Sequence, residues 1–161
     1  MKTRIGDILL YKDGNSFITR SIRKLTNSKY NHVGIYVGNG LVAEALDDGF
    51  VLTSHVDVDN YAGIDVYRIK RSPRFNKDIL EGIVYQYLGT PYGFFDILKL
   101  AIFQLTRYKL FKGRTKALIC SEAVAQVYRD YGFNLFKGKN LDYITPEDFA
   151  KHKKLVMIRQ G

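Results

Sequence analysis

Three residue types in this chain could together move an acyl group: one cysteine, a strand histidine and a carboxylate on the returning strand. Cys120 is the sole cysteine. It stands where the apolar run Ala117-Leu118-Ile119 gives way to a helical pattern. A thiol at a helix N-terminus feels the positive end of the dipole and the first backbone N–H groups. Both favour the thiolate, which is the nucleophile. The same N–H groups can hold an oxyanion. A cysteine on an apolar helical face is also a common buried hydrophobe, so its place alone does not assign it.

A nucleophile needs a base, and the histidines are His32, His55 and His152. His152 lies in a lysine-rich stretch and reads as surface. His55 reads as a solvated loop histidine at a strand end beside acidic residues. His32 opens one strand of a tight hairpin, where a ring is better fixed than on a loop. The return strand carries Glu44. A three-residue Gly38-Asn39-Gly40 loop sets Val37 opposite Leu41 and Gly34 opposite Glu44. His32 and Glu44 then share a sheet face as diagonal neighbours. A two-residue Asn39-Gly40 loop would put them on opposite faces. The alternative for Glu44 is an exposed strand carboxylate like Asp47 and Asp48.

The elements that must position these groups follow from periodicity and punctuation. Strands are expected at Ile5 to Tyr11, on both sides of the Gly38-Asn39-Gly40 turn, at Phe50 to Thr53, Ile64 to Ile69 and Leu155 to Ile158. Asp13-Gly14-Asn15 reads as a turn, followed by a helix from Asn15 or Ser16 to about Leu25. A helix from Lys77 to Leu88 has Asn76 as N-cap, Phe75 and Leu80 as a hydrophobic staple and Gly89 as its stop. Phe94 to Leu105 reads as a further apolar helix, and the basic stretch to Lys116 as a loop. From Cys120, the residues Ala123, Val124, Val127, Tyr128 and Tyr131 share one helical face, and Gly132 ends it. Thr145 caps a short helix with Pro146 in its first position. The layout is α+β, an antiparallel sheet with helices packed on one side.

The order of these pieces carries a resemblance. GDILLY, NHVGIYVGNG with LVAEA, YLGTPYGFFD, ICSEAVAQVY and ITPEDFA, in that order, resemble the circularly permuted, papain-like cysteine amidases of the NlpC-type superfamily. The histidine precedes the cysteine, the reverse of ordinary papain-like enzymes. The resemblance implies a partly barrel-like sheet and one permuted papain-like domain over residues 1–161. It implies Cys120 as nucleophile, His32 as general base and acid, Glu44 as the orienting third residue, and Tyr92 as a substrate-cleft residue whose alternative is core packing. Glu122, in Cys-Ser-Glu, is given a structural or helix-dipole role. Substrates of such enzymes are peptide or peptide-like amides, some derived from cell walls, cleaved through a thioester. Two other readings stay open: a lipid-directed acyltransferase of the lecithin retinol acyltransferase-like branch, and a non-catalytic binding module.

Composition bounds the rest. The chain has 161 residues, a length suited to one domain with its own core. A single cysteine rules out an intramolecular disulfide. The histidines and cysteine show no metal-ligand spacing, so neither metal nor cofactor is expected. The net charge of +9 would favour anionic partners. The basic residues are scattered and match no nucleic-acid motif, so nucleic acid is not an expected partner. A small peptide or amide is the expected one, and peripheral membrane contact and oligomeric state stay open. The opening MKTRIGDILLYKDG does not read as a signal peptide, and no run reaches the roughly 20 apolar residues of a membrane span. Cytoplasm is therefore the default location, with a phage-borne or otherwise exported protein as the alternative.

Overall fold

A computed structural model describes residues 2–12, 29–55, 59, 63–71, 74–93 and 119–161. The expected helix at 15–25 and its turn, the apolar segment at 94–105 and the basic loop to 116 lie outside the described residues. No described helix is long and apolar enough to cross a membrane.

Six strands form one antiparallel sheet: β1 Ile8–Tyr11, β2 His32–Gly38, β3 Leu41–Leu46, β4 Gly49–Ser54, β5 Ile64–Ile69 and β6 Leu155–Arg159. Their order is β4-β3-β2-β1-β5-β6. The α+β class stands, but the sheet is open between β4 and β6 among the described residues, which corrects the barrel-like expectation. β1 is three residues shorter than expected at its start. Gly6 takes φ +82°, and the Asp7 carboxylate accepts the Arg4 N–H at 2.7 Å, so a turn replaces the extended chain there.

Within the described residues the expected helices form, with the expected caps at Asn76 and Thr145. In α1, Lys77–Tyr87, Asn76 Oδ1 accepts the Ile79 N–H. In α3, Pro146–Ala150, Thr145 and Asp148 make a reciprocal capping box. α2 runs Cys120–Asp130, and Gly132 at φ +102° lets the chain turn away after it. The expectation of one apolar face on α2 understates its burial, since all residues from Cys120 to Tyr128 are buried. The sheet covers one side, through β2 and β3. The segment around a 3-10 turn, Leu141–Tyr143, covers another, where the Ser121 hydroxyl donates to the Ile144 carbonyl.

The main core joins Ile8, Leu10, Val33, Ile35, Ala43 and Ala45 of the sheet to Ala123, Val124, Val127 and Tyr128 of α2. Full burial of side chains of this size stabilises by roughly 1.5–3 kcal/mol each. That packing fixes the position of Cys120. A second fixture sets the start of β2. Tyr30 is buried and its hydroxyl donates to Asp65 at 2.6 Å, and Lys12 pairs with the same wholly buried carboxylate at 2.6 Å.

Candidate active site

The hairpin that carries His32 and Glu44 reaches the expected pairing by another route. Gly34 does face Glu44, but Gly38, not Val37, faces Leu41. The loop is the two-residue Asn39-Gly40 turn, both with positive φ, as a tight hairpin turn of this hand needs. Without compensation that turn would put His32 and Glu44 on opposite faces. A bulge between Tyr36 and Gly38 leaves Val37 as the extra residue and restores the parity.

With that register, His32 Nε2 lies 2.7 Å from Glu44 Oε2. Gly34 makes the approach feasible: a Cβ there would sit 2.6 Å from Val42 Cγ1 and 3.4 Å from Glu44 Cβ. Glu44 is almost fully buried and is held from three sides. Thr53 Oγ1 donates to its Oε1, and His55 Nε2 stands 3.5 Å from that oxygen. Burial alone would favour the neutral acid, but the hydrogen bonds from His32 and His55 hold Glu44 well below the usual carboxylate range.

Cys120 stands close enough to His32 to act on the titration of its ring. With Nε2 committed to Glu44, Nδ1 is the ring nitrogen left for the thiol. Strand alternation puts His32 on the face opposite Val33 and Ala43, against which α2 packs. His32 is the first residue of β2, so its ring can meet the start of α2 at the end of the sheet. Burial opposes the charged imidazole. The neighbouring Cys120 thiol and the Glu44 carboxylate outweigh it, and the ring is pushed up to about 10. The Tyr11 ring packs on both His32 and His55, with centroids 5.1 and 5.9 Å away.

Cys120 is the first residue of α2, and its N-cap, Ile119, supplies no side-chain acceptor. No side chain at that position competes for the helix's opening N–H groups. Glu122 is buried in the first turn. Tyr92 is half-buried against the main core, in a segment tied to β4 by the Phe50 N–H to Thr90 carbonyl bond at 2.9 Å. Burial, with the charges of Cys120 and Asp47 in reach, raises its phenol far above the ordinary range.

The structure therefore brings together Cys120, His32 and Glu44, with Tyr92 close by. It adds His55 and Thr53, which the sequence reading passed over. His55 is not a solvated loop residue: it flanks Glu44 and packs on Tyr11. The expectation for His152 is also corrected. Its Nε2 meets the Leu135 carbonyl at 2.8 Å and its ring packs edge-on to Phe136, so it supports the C-terminal fold.

A histidine and a carboxylate that precede the cysteine along the chain point to a permuted papain-like site, and a family model agrees. Residues 2–158 match the permuted papain-like amidase enzymes described as YaeF/YiiX, C92 family. The chain belongs to this family. A search of curated proteins finds no match. Among solved structures the chain is similar to the Escherichia coli O157:H7 protein yiiX, described as a metalloprotein, with a TM-score of 0.69 and 18% identity over 100% of this chain and 99% of that one. At that identity the likeness speaks to the fold. Among the described residues of this C92-family chain, no group of three or more potential ligands could hold a metal ion.

Proposed function

We propose that this C92-family protein, taken as one permuted papain-like domain of the wider NlpC-type superfamily, cleaves a peptide or peptide-like amide through a thioester on Cys120. The observation that carries this reading is the placement of His32 between Cys120 and Glu44, with the ring raised to about 10. His32 takes the thiol proton, and the sulfur attacks the amide carbonyl. The Cys120 backbone N–H at the start of α2 holds the oxyanion. His32 returns its proton to the departing amine, and a water, activated by the same ring, hydrolyses the thioester. Glu44 fixes the ring and stabilises the imidazolium throughout. Tyr92 lines the substrate cleft.

The test is hydrolysis of a panel of peptide amides and cell-wall-derived peptides by the wild type and by Cys120→Ala. The variant should lose roughly three orders of magnitude or more in rate. A covalent acyl adduct on Cys120 should be visible by mass spectrometry in the wild type. Unchanged turnover by Cys120→Ala would sink the proposal. So would a thiol that iodoacetamide modifies only after denaturation.

A further inference from the structure

A cavity lies at the other end of β2 from the catalytic residues. It has a volume of about 460 Å³, within the range of small-molecule sites. Its lining includes Gly38, six positions along β2 from His32, or about 20 Å of extended strand.

Charge in this cavity is unbalanced. Arg4, Arg68 and Arg74 line it with one carboxylate, Asp7. Asp7 is already saturated: Arg68 donates to both its oxygens at 2.7 Å, and the Arg4 N–H donates to Oδ2. The Arg4 and Arg74 side chains make no hydrogen bond or ion pair among the described residues. Two arginines thus line the cavity with no carboxylate bonded to either side chain among the described residues. Guanidinium groups favour planar carboxylates and phosphates, which they bind through paired N–H groups.

Two aromatic residues, Phe75 and Tyr36, belong to the lining. Phe75 rests on the backbone of Gly6, where a Cβ would lie 2.3 Å from the ring. The Tyr128, Tyr131 and Phe133 rings hold Phe75 from behind, with centroids 5.6, 4.4 and 5.3 Å away. Tyr36 lies on the sheet face away from α2, where the Gly40 N–H donates to its hydroxyl at 3.1 Å. Among the described residues the cavity therefore offers two arginines without a hydrogen-bonded anion, beside aromatic side chains.

We propose that this cavity binds a small organic anion, a carboxylate or phosphate monoester carrying a flat apolar group. Arg4 and Arg74 hold the anion, while the Tyr36 ring supports the flat part. Arg68 stays committed to Asp7 and keeps the rim in shape. The site is separate from the thiol chemistry and does not depend on it.

The probe is phenyl phosphate, titrated by calorimetry and by amide chemical shifts on the full chain. Saturable binding is expected, tighter than that of inorganic phosphate, with shifts concentrated at residues 4–7, 38–39 and 74–75. The double variant R4Q/R74Q should weaken it tenfold or more while melting as the wild type does; Cys120→Ser should leave it unchanged. Equal affinity in R4Q/R74Q, or shifts gathered at Cys120 and His32, overturns the proposal. Inorganic phosphate binding as tightly as phenyl phosphate overturns its apolar half. Sedimentation with phosphatidic acid vesicles, lost in R4Q/R74Q, would identify a lipid headgroup as the source of the anion. Phenyl phosphate binding without sedimentation would identify a soluble one.

Discussion

Replacing Glu44 by Gln keeps the shape of the site and removes its buried negative charge. His32 Nε2 loses a carboxylate at 2.7 Å and faces a neutral amide. The rise of His32 from its ordinary 6.5 to about 10 corresponds to about 5 kcal/mol favouring the charged ring. That balance already includes the opposing effect of burial, so Cys120 and Glu44 together supply more. Cys120 is the larger contributor and Glu44 the next. Glu44→Gln should therefore lower the His32 titration by about one to two pH units. Iodoacetate reads this without any knowledge of the substrate. Its carboxylate is drawn to the imidazolium, so alkylation of the single thiol slows as the ring loses its proton. In the wild type that decline should fall near pH 10; in Glu44→Gln it should begin one to two units lower. Amide hydrolysis should fall by two orders of magnitude or more. An alkylation profile that does not move would refute the assignment of Glu44 as the group that stabilises the ring.

Other outcomes follow from the same geometry. His55→Gln should shift the iodoacetate profile in the same direction by less, because its contact with Glu44 is longer, at 3.5 Å; a shift as large as that of Glu44→Gln would contradict this ranking. Gly34→Ala should cost roughly 1–3 kcal/mol in a urea melt through overpacking, and adding Val42→Ala should recover part of it, since Val42 Cγ1 is the atom met at 2.6 Å; no recovery would show that the strain lies elsewhere. Acid stability carries a sign. Glu44 titrates below its ordinary 4.5 in the folded chain, so the stability it contributes is present above that value and is lost as pH falls beneath it. The wild-type melting temperature should drop with acid in that window, and Glu44→Gln should drop less steeply. His32, raised in the fold, contributes stability present below about 6.5 that is lost as pH rises through about 10.

The sequence was most legible where one local rule decides the outcome. Asn76, Thr145 and Pro146 mark helix starts because their chemistry is confined to a single turn. Cys120 is placed by the change from an apolar run to helical spacing. The pairing of Gly34 with Glu44 was anticipated through the wrong device. Turn residues announce a hairpin, but a bulge such as that at Val37 has no residue signature and is set by packing across the sheet. His55 was missed for a related reason. Its role depends on β4 lying beside β3, so that Thr53 and His55 point to the face that carries Glu44. No spacing within one strand reveals that. The open sheet, where a barrel-like one was expected, likewise depends on long-range strand order. α2 was expected to bury one face because periodicity sees only the sheet side. The cover from the Leu141–Tyr143 segment comes from chain folded back from farther along.

The bulge at Val37 bears on how the hairpin can tolerate changes in length. What the pair His32 and Glu44 requires is an even count of ladder steps, whatever loop closes it. Deleting Val37 alone would keep the turn yet invert one strand relative to the other, parting the two groups. Inserting one residue into the turn would do the same unless a new bulge absorbed it. Two-residue insertions at Asn39-Gly40 would lengthen the hairpin and leave the pair facing. Length variation at this turn is therefore expected to come in twos, and loop libraries grafted there would sort into working and failing members by odd or even size before any side chain is compared.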